Sequence, residues 1–176
     1  MKDHIHENIS TPSEFLVDNI ELLPPGRALD LATGSGRNAI YLAAKGYQVD
    51  AVDISAEAID ATSEAARRAG VSVNAKIVDL EAGYRLKRNT YDLIICFNYL
   101  QRSLVPQIIN GLNRGGMLVY ETFIIDQRQF GHPKNPDFLL EHNELLNMFR
   151  DLRCLRYREG VFGNKAIASI IAQRTT

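Results

Sequence analysis

An apolar segment that runs into a glycine-containing turn, residues 29–36, constrains the fold of this chain more than any other feature. A helical stretch follows, and a second apolar segment then ends at Asp53. This order is typical of the first strand, turn, helix and second strand of a nucleotide-binding α/β sheet, in which an acid at the end of the second strand binds the ribose. The pattern therefore predicts a parallel sheet with a ribose-containing ligand at one edge.

The rest of the chain continues the alternation of strands and helices. Apolar runs predict strands over residues 27–32, 48–53, 73–78, 91–98, 117–122, 152–159 and 166–172. Periodic spacing and capping residues, including a capping box that begins at Thr11, predict helices over residues 11–23, 36–45, 55–69, 103–112 and 143–149. Gly115 and Gly116 are predicted to turn the chain into the fifth strand, and residues 160–163 to turn it between the last two.

Alternating strands and helices imply a parallel sheet with right-handed crossovers, whereas the last two strands lack a helix between them and should form an antiparallel hairpin. The predicted fold is α/β: a single doubly wound, Rossmann-like domain over residues 1–176, with a mostly parallel seven-stranded sheet. Residues 1–23 are expected to contribute an N-terminal helix and cover. Residues 123–140 are long for a structureless connection, so an ordered loop on the substrate side is expected.

Composition argues against several functional classes. The net charge of −1 provides no field for holding a polyanion, so no nucleic-acid partner is expected. The apolar runs have strand length, so no membrane span is expected. Cys96 and Cys154 lack metal-ligand spacing, and the polar start lacks signal-peptide features, so a metal-free cytoplasmic protein is expected. His4 and His6 are interpreted as tail residues. A basic cluster is interpreted as a solvated edge and consists of Arg150, Arg153, Arg156 and Arg158.

Asp30 helps to choose between two ligands that carry a ribose. Residues 34–39 match the G-x-G-x-x-A pattern of dinucleotide-binding proteins, and Asp53 follows at a suitable distance. A nicotinamide cofactor would place its pyrophosphate against this turn, where the Asp30 carboxylate would repel it. The ammonium and sulfonium of S-adenosylmethionine would instead be attracted. The sequence therefore favours the methyl donor as cofactor, although Asp30 as a helix cap stays an alternative.

At this point the chain resembles the class I S-adenosylmethionine-dependent methyltransferases. The motifs that carry the resemblance span most of the chain and lie at residues 28–38, 49–55, 78–81, 91–95 and 112–118. Residues 36–43, together with residues 120–123 and 130–140, are similar to the tellurite-resistance branch of these enzymes and its bacterial neighbours. Thr33 stands where the first motif commonly has cysteine.

The resemblance implies where the donor would lie. Its methionine part would bind at the first turn, with a backbone carbonyl after the fourth strand accepting from the amine. Its ribose and adenine would bind at the ends of the second and third strands. The residues expected to bind the donor are Asp30, Ala32, Thr33, Gly34, Arg37, Asn38, Asp53, Ile54, Asp79, Leu80, Phe97 and Asn98.

The methyl acceptor is less constrained, and a small molecule such as a thiol or a chalcogen oxyanion (tellurite or selenite) is expected. Glu121 and His132 are the candidate catalytic residues, and Tyr99, Arg102 and Arg128 are candidates for substrate binding. For each of them a solvated loop charge or a helix cap is an equally good interpretation. A nicotinamide-dependent oxidoreductase and a non-catalytic protein that binds S-adenosylmethionine stay open as alternatives, and the oligomeric state is not predicted.

Overall fold

The computed structural model describes residues 11–175, in which strands and helices alternate as the sequence predicts. The strands are β1 (Arg27–Leu31), β2 (Gln48–Asp53), β3 (Val73–Ile77), β4 (Tyr91–Phe97), β5 (Leu112–Phe123), β6 (Arg153–Phe162) and β7 (Lys165–Gln173). The helices are α1 (Glu14–Asp18), α2 (Arg37–Ala44), α3 (Ala56–Ala69), α4 (Val105–Gly111) and α5 (Glu144–Met148). His4 and His6 lie outside the described residues.

The strands form one seven-stranded sheet in the order β3-β2-β1-β4-β5-β7-β6. Neighbours among β1 to β5 pair in parallel, whereas β7 runs antiparallel to both β5 and β6. The predicted α/β fold with a C-terminal antiparallel hairpin is therefore confirmed. The chain order reverses between β1 and β4, and ligands of such sheets bind beyond the carboxyl ends of the strands at this switch point.

The centre of the sheet is buried on both faces, which explains the uninterrupted apolar run of β4. Leu93 and Ile95 pack into the core on the face of α1 and α2, while Ile94 and Cys96 pack into the core on the opposite face. None of these four side chains is exposed to solvent. Strands that are covered on both sides have apolar residues at successive positions because each side chain meets a helix layer or loop.

Helix α3 shows how local sequence sets the element bounds beside the site. Ser55 accepts a hydrogen bond from the backbone N–H of Ala58 and caps the helix at its N terminus. Gly70 ends the helix with a φ of +68°, a conformation that glycine adopts without steric cost. Between the caps, Ile59, Thr62 and Ala66 share the buried face, at the spacing of a helix that packs on a sheet.

The N-terminal helix is shorter than the prediction of residues 11–23. Helix α1 ends at Asp18, and a separate 3₁₀ turn covers Ile20–Leu22. The predicted capping box at Thr11 does not form, since the N-cap is Ser13 and its side chain makes no capping hydrogen bond. The side chain of Asn19 donates to the carbonyl of Phe15, 2.8 Å away, where the helix ends.

Gly115 and Gly116, which were predicted to form a turn, lie within β5, whereas the turn between the last two strands lies at Gly163 and Asn164, at the end of the predicted range. Strand β5 begins at Leu112 and includes Gly115 and Gly116, with a register shift against β4. A Cβ on Gly116 would lie 2.9 Å from the carbonyl oxygen of Tyr91, so glycine permits this close approach of two strands. Strand β6 continues through Gly160 to Phe162, because both strands of the hairpin pair up to Lys165.

Residues 123–140 are ordered by two short helices and by hydrogen bonds at both ends. The 3₁₀ helices cover Ile125–Gln129 and Pro136–Phe138. The N–H of Ile125 donates to the carbonyl of Leu140, and the N–H of Leu140 donates to the carbonyl of Phe123. The segment thus leaves the sheet and returns to it at the end of β5. None of the helices between residues 11 and 175 is long and apolar enough to cross a membrane.

Candidate functional site

The carboxyl ends of the parallel strands bring polar side chains from distant parts of the chain to one edge of the sheet. Asp30 lies near the end of β1 and Asp53 ends β2. Asp79 follows β3, and Asn98 follows β4. Parallel pairing aligns these strand ends, so three carboxyl groups and one amide surround the switch point. The grouping that the sequence predicted is therefore present.

The turn after β1 is supported by a contact with α3, while the space next to Gly34 is open. Gly34 and Gly36 have φ angles of +58° and +80°. The hydroxyl of Thr62 on α3 donates to the carbonyl of Gly34 at 2.9 Å. A Cβ on Gly36 would lie 2.6 Å from the Thr62 side chain, whereas a Cβ on Gly34 would meet no atom within 4 Å. Thr62 was not predicted to support the turn, because it lies in a helix without a local motif.

Asp30 is buried beneath this turn, with 2% of its surface exposed. The hydroxyl of Thr33 donates to its carboxyl group at 2.6 Å. Burial raises the pKa of Asp30 to about 7, while the Thr33 hydrogen bond and the nearby charge of Arg37 act in the opposite direction. A carboxyl group in this setting gains most from a cationic ligand, because burial has removed the water that would otherwise stabilise its charge.

The carboxylate of Asp53 lies next to the turn and contacts its backbone. One carboxylate oxygen accepts from the N–H of Gly34 at 2.9 Å, and the other accepts from the N–H of Ser55 at 3.0 Å. Each carboxylate oxygen can accept more than one hydrogen bond, so the group is oriented and can still receive two vicinal hydroxyls. The neighbouring Ile54 is 65% exposed, which leaves an apolar side chain open to a planar ring.

Asp79 ends the row of carboxyl groups. One of its oxygens accepts from the N–H groups of Glu81 and Ala82, at 2.8 and 3.1 Å, which fixes the loop after β3. Together with Asp53 it borders a cavity of about 160 Å³. The walls of this adenosine-side cavity are Ala32, Asp53, Ile54, Val78, Asp79, Leu80, Glu81 and Tyr99. Carboxylates and apolar side chains around a narrow cavity suit a nucleoside with an exocyclic amine.

Asn98 separates two larger cavities at the end of β4. Its φ of +57° is unusual for a residue with a side chain, and its N–H donates to the carbonyl of Glu121 at 2.9 Å. Phe97, directly before it, is buried. The basic cavity has a volume of about 540 Å³ and includes Arg37, Arg158 and Lys165 in its wall. The apolar cavity has a volume of about 470 Å³ and is bordered mainly by the residues 122–138 segment and the loop after β4.

Arg37 and Asn38, which both were expected to bind the donor, face different surroundings. Arg37 lines the basic cavity, and its guanidinium donates to the carbonyl of Thr11 at 3.2 Å. Asn38 is buried, and its side-chain oxygen accepts from the N–H of Ser13 at 2.8 Å. Within residues 11–175, Asn38 contributes to none of the three cavity walls. Its side chain fastens the N-terminal segment to α2, and the expected contact with the donor stays a prediction.

Glu121 lies near the end of β5 and lines the basic cavity. One of its oxygens accepts from the hydroxyl of Ser169 at 2.6 Å and from the guanidinium of Arg158 at 3.2 Å. The guanidinium of Arg158 also lies over the rings of Phe15 and Phe162, with distances of 4.8 and 4.7 Å to the ring centres. Arg158, which was interpreted as part of a solvated edge, does lie on the edge strand β6, but its guanidinium is paired with Glu121.

Tyr99 and His132 border the apolar cavity, as expected of residues after β4 and β5. The Tyr99 hydroxyl donates to a carboxylate oxygen of Glu81 at 3.4 Å. Burial and, to a smaller extent, the Glu81 charge raise the pKa of Tyr99, so this hydroxyl stays protonated at neutral pH. The backbone carbonyl of His132 accepts from the side chain of Gln127 at 3.2 Å, which positions the imidazole-bearing residue in the wall.

The two arginines expected to bind substrate occupy other positions. Arg102 forms two hydrogen bonds with the carboxylate of Glu144 and donates to the carbonyls of Asp137 and Leu139 at 3.1 and 3.0 Å. Arg128 is exposed in the first 3₁₀ helix of the 123–140 segment. Within the described part of the chain, neither side chain lines any of the three cavities. Arg102 instead fastens the segment to α5 through Glu144. No local sequence pattern predicts this contact, because the two residues are far apart in the chain.

The distribution of His, Cys, Asp and Glu side chains among the described residues bears on metal binding. Among residues 11–175, the structure contains no group of three or more His, Cys, Asp or Glu side chains that could hold a metal ion. The buried Cys96 pairs with Tyr120 of the neighbouring strand β5, and burial raises the pKa of its thiol.

Comparisons with known proteins agree with this architecture. The chain is 29% identical over 154 residues to the "Probable S-adenosyl-L-methionine-dependent methyltransferase TehB" of Haemophilus influenzae, which covers 83% of this chain and 52% of that protein. It is also 29% identical over 138 residues to the glycine/sarcosine N-methyltransferase of Halorhodospira halochloris, covering 73% of this chain and 47% of that protein. The chain thus spans about half the length of these curated relatives.

The fold is shared with a solved structure of the same family. The crystal structure of TehB from Haemophilus influenzae superposes with a TM-score of 0.81 at 22% identity, covering 96% of this chain and 64% of that chain. The family model described as tellurite resistance protein TehB matches residues 2–166. The chain therefore belongs to the TehB family of tellurite resistance proteins, as the motifs of its sequence predicted.

Proposed function

We propose that this protein transfers a methyl group from S-adenosylmethionine to a small-molecule acceptor. The observation that carries the proposal is the row of three carboxyl groups, Asp30, Asp53 and Asp79, around the open turn at Gly34. Their order on the neighbouring strands β1, β2 and β3 corresponds to the order of ammonium, ribose and adenine in the donor. The name of the Haemophilus relative, a probable S-adenosylmethionine-dependent methyltransferase, supports the same activity.

The individual contacts fit this donor. Asp30 would face its ammonium, and the backbone carbonyl of Asn98 would accept from the same group. Asp53 would receive the ribose hydroxyls, while Ile54 and Leu80 would lie against the adenine. Arg37, which lines the basic cavity, would meet the carboxylate. The space in front of Gly34 suits the approach of the methionine part, since a Cβ there would project into it.

When bound, the donor supplies an activated methyl group: the acceptor's lone pair forms a bond to the methyl carbon while the carbon–sulfur bond breaks and its electrons stay on sulfur. The task of the protein is then to align the acceptor with that carbon and to exclude water. A proton on the acceptor has to leave to a base or to solvent. His132, in the wall of the apolar cavity, is the proposed base for acceptors that need one.

The charges around Asn98 favour an acceptor with an anionic nucleophile. Three basic side chains, Arg37, Arg158 and Lys165, line the cavity on one side of it, and they outnumber its two acidic ones, Glu14 and Glu121. A thiolate or a chalcogen oxyanion such as tellurite or selenite would be attracted there, and such soft nucleophiles need little help from a base. Glu121 would act by holding Arg158 in place rather than by removing a proton, since its carboxylate already accepts from Arg158 and Ser169.

Calorimetric titration with S-adenosylhomocysteine tests donor binding directly. A folded protein that does not bind it would exclude the proposed function. Transfer of label from methyl-labelled donor to a panel of thiols, tellurite and selenite then tests catalysis, and it separates an enzyme from a protein that only binds the donor. A rise in melting temperature with NADH but not with S-adenosylhomocysteine would support the oxidoreductase alternative, against which the position of Asp30 argues.

A further inference from the structure

We infer that the methyl acceptor is an organic molecule whose apolar body lies in the apolar cavity, with its nucleophilic atom at Asn98, rather than a bare chalcogen oxyanion. The inference rests on the proposed function and narrows its acceptor. Two observations carry it: the size and lining of this cavity, and the wall residues that it shares with the donor side of the site.

The cavity is much larger than an oxyanion requires. Its volume of about 470 Å³ would hold about fifteen water molecules at roughly 30 Å³ each. The walls include the apolar side chains of Leu100, Phe123, Pro133 and Phe138. Phe138 is 55% exposed, so a large aromatic surface faces water at the cavity edge. A ligand with an apolar body would remove this surface from water, which a hydrated four-atom anion would not do.

The apolar cavity adjoins the proposed donor site and shares wall residues with it. Glu81 and Tyr99 line both the adenosine-side cavity and the apolar cavity, and Asn98 lines both the apolar cavity and the basic cavity. An acceptor whose nucleophile reaches Asn98 therefore places its charged end beside the wall of the basic cavity. Its body then extends toward residues 132–138. This arrangement fits an organic thiolate or selenolate better than a symmetrical inorganic anion.

The outer wall of the cavity is already formed in the described chain. Arg102 binds the carbonyls on either side of Phe138, those of Asp137 and Leu139. Gln127 donates to the carbonyl of His132 and accepts from the N–H of Ala166 at 2.8 Å. A wall held by such contacts gives up little conformational freedom when a ligand binds, so the apolar contacts contribute more fully to affinity.

Two probes with the same nucleophile and different bodies test the inference. We expect 2-phenylethanethiol to bind the protein saturated with S-adenosylhomocysteine at least tenfold more tightly than 2-mercaptoethanol, as measured by ligand-observed NMR titration. We also expect methylation of 2-phenylethanethiol with a kcat/KM at least tenfold higher than that of 2-mercaptoethanol, and tellurite to be the poorer acceptor of the three.

A matched pair of variants localises the effect. Phe138→Ala should weaken binding of 2-phenylethanethiol at least fivefold and leave the affinity for S-adenosylhomocysteine unchanged. Phe130→Ala is the control, because Phe130 is 44% exposed in the same segment but is not part of the described cavity wall. This control variant should bind both thiols and S-adenosylhomocysteine like the wild-type protein.

The outcomes separate this inference from the proposed function. Failure to bind S-adenosylhomocysteine overturns the proposed function and the inference together. If S-adenosylhomocysteine binds but the two thiols bind equally, or Phe138→Ala weakens neither, the inference alone is overturned. Preferential methylation of tellurite over 2-phenylethanethiol would also overturn it, while methyl transfer itself would stand. A tenfold preference that Phe138→Ala abolishes and Phe130→Ala preserves would support the inference.

Discussion

Asp30 combines burial with an ionisable group, so its protonation and its ligand must be linked. With its pKa raised to about 7, the carboxyl of the ligand-free protein is mostly neutral below that pH and mostly charged above it. A ligand ammonium favours the charged form, so its binding at lower pH releases the proton. The affinity for such a ligand should therefore depend on pH near 7, which an exposed aspartate would not produce.

We expect the affinity for S-adenosylhomocysteine to fall by about tenfold between pH 8 and pH 6, because below pH 7 binding must first remove the proton from Asp30. Calorimetry across this range, in buffers of different ionisation enthalpy, measures both the affinity and the proton release. Asp30→Asn serves as the control and should bind weakly with little dependence on pH. Equal affinity of the wild-type protein at both pH values would contradict the assignment.

Asp53→Ala should weaken binding of S-adenosylhomocysteine by about 10- to 100-fold, because charge-assisted hydrogen bonds contribute about 1.5–3 kcal/mol. The loss also removes the acceptor that orients the N–H of Gly34. Asp60→Ala, an exposed carboxylate on α3, is the matched control and should bind normally. Unchanged affinity of Asp53→Ala in the same calorimetric titration would argue against the ribose contact.

Gly36→Ala should destabilise the protein by at least about 1 kcal/mol more than Gly46→Ala. Both positions have positive φ, which costs an alanine about 1–2 kcal/mol. Only at Gly36 would the new Cβ also contact Thr62, at 2.6 Å, whereas at Gly46 it would meet nothing within 4 Å. Urea denaturation of the two variants measures the difference, and equal losses would show that α3 yields to the added methyl group.

At the scale of elements, the site depends on how segments outside the sheet are fastened to it. The N-terminal segment is held through Asn38, whose side chain accepts from the N–H of Ser13. The segment after β5 is held through Arg102, whose partner Glu144 lies on α5. The hydrogen bond from Arg102 lowers the pKa of Glu144, which is the sign expected of a carboxylate stabilised in its charged form.

Arg102→Ala should increase hydrogen exchange of the amides of Phe138, Leu139 and Leu140 by about fivefold. The expected loss is about 1 kcal/mol, since partly exposed ion pairs and their hydrogen bonds contribute in this range. Arg128→Ala, which removes an exposed arginine from the same segment, should leave the exchange of these amides unchanged. If exchange stays slow in Arg102→Ala as well, the remaining backbone hydrogen bonds suffice to hold the segment.

In the molecule as a whole, strand β7 inserts between two other strands of the sheet. Strand β7 lies between β5 and β6 and is buried along most of its length. Ser169 on this strand donates to Glu121, so the strand also supports the site. The wall of the basic cavity at Glu121 therefore depends on a residue of β7.

Ile170→Ala should lower the free energy of unfolding by about 2–5 kcal/mol, because its side chain is fully buried in β7 and the variant leaves a cavity. Val161→Ala, which shortens a side chain that is 54% exposed on β6, should cost much less. Urea-induced unfolding followed by circular dichroism measures both. Similar losses in the two variants would indicate that β7 contributes no more to the core than the edge strand does.

The strands, the fold class and the acids at the strand ends could be predicted from the amino-acid sequence alone. These features depend on local patterns: apolar runs for β1 and β4, a glycine turn after β1, and an acid at or just beyond the end of a strand at Asp53 and Asp79. The family resemblance rests on the same motifs, and the match of the TehB family model to residues 2–166 agrees with it.

The partners of the polar side chains, in contrast, depend on how the folded segments pack together. Asn38 binds the backbone of Ser13, Arg102 binds Glu144, and Arg158 binds Glu121. Each pair joins segments far apart in the chain, and no local pattern specifies which segments will meet. The fold brings them together because burial of apolar faces sets the packing, and buried polar groups must then find partners within it.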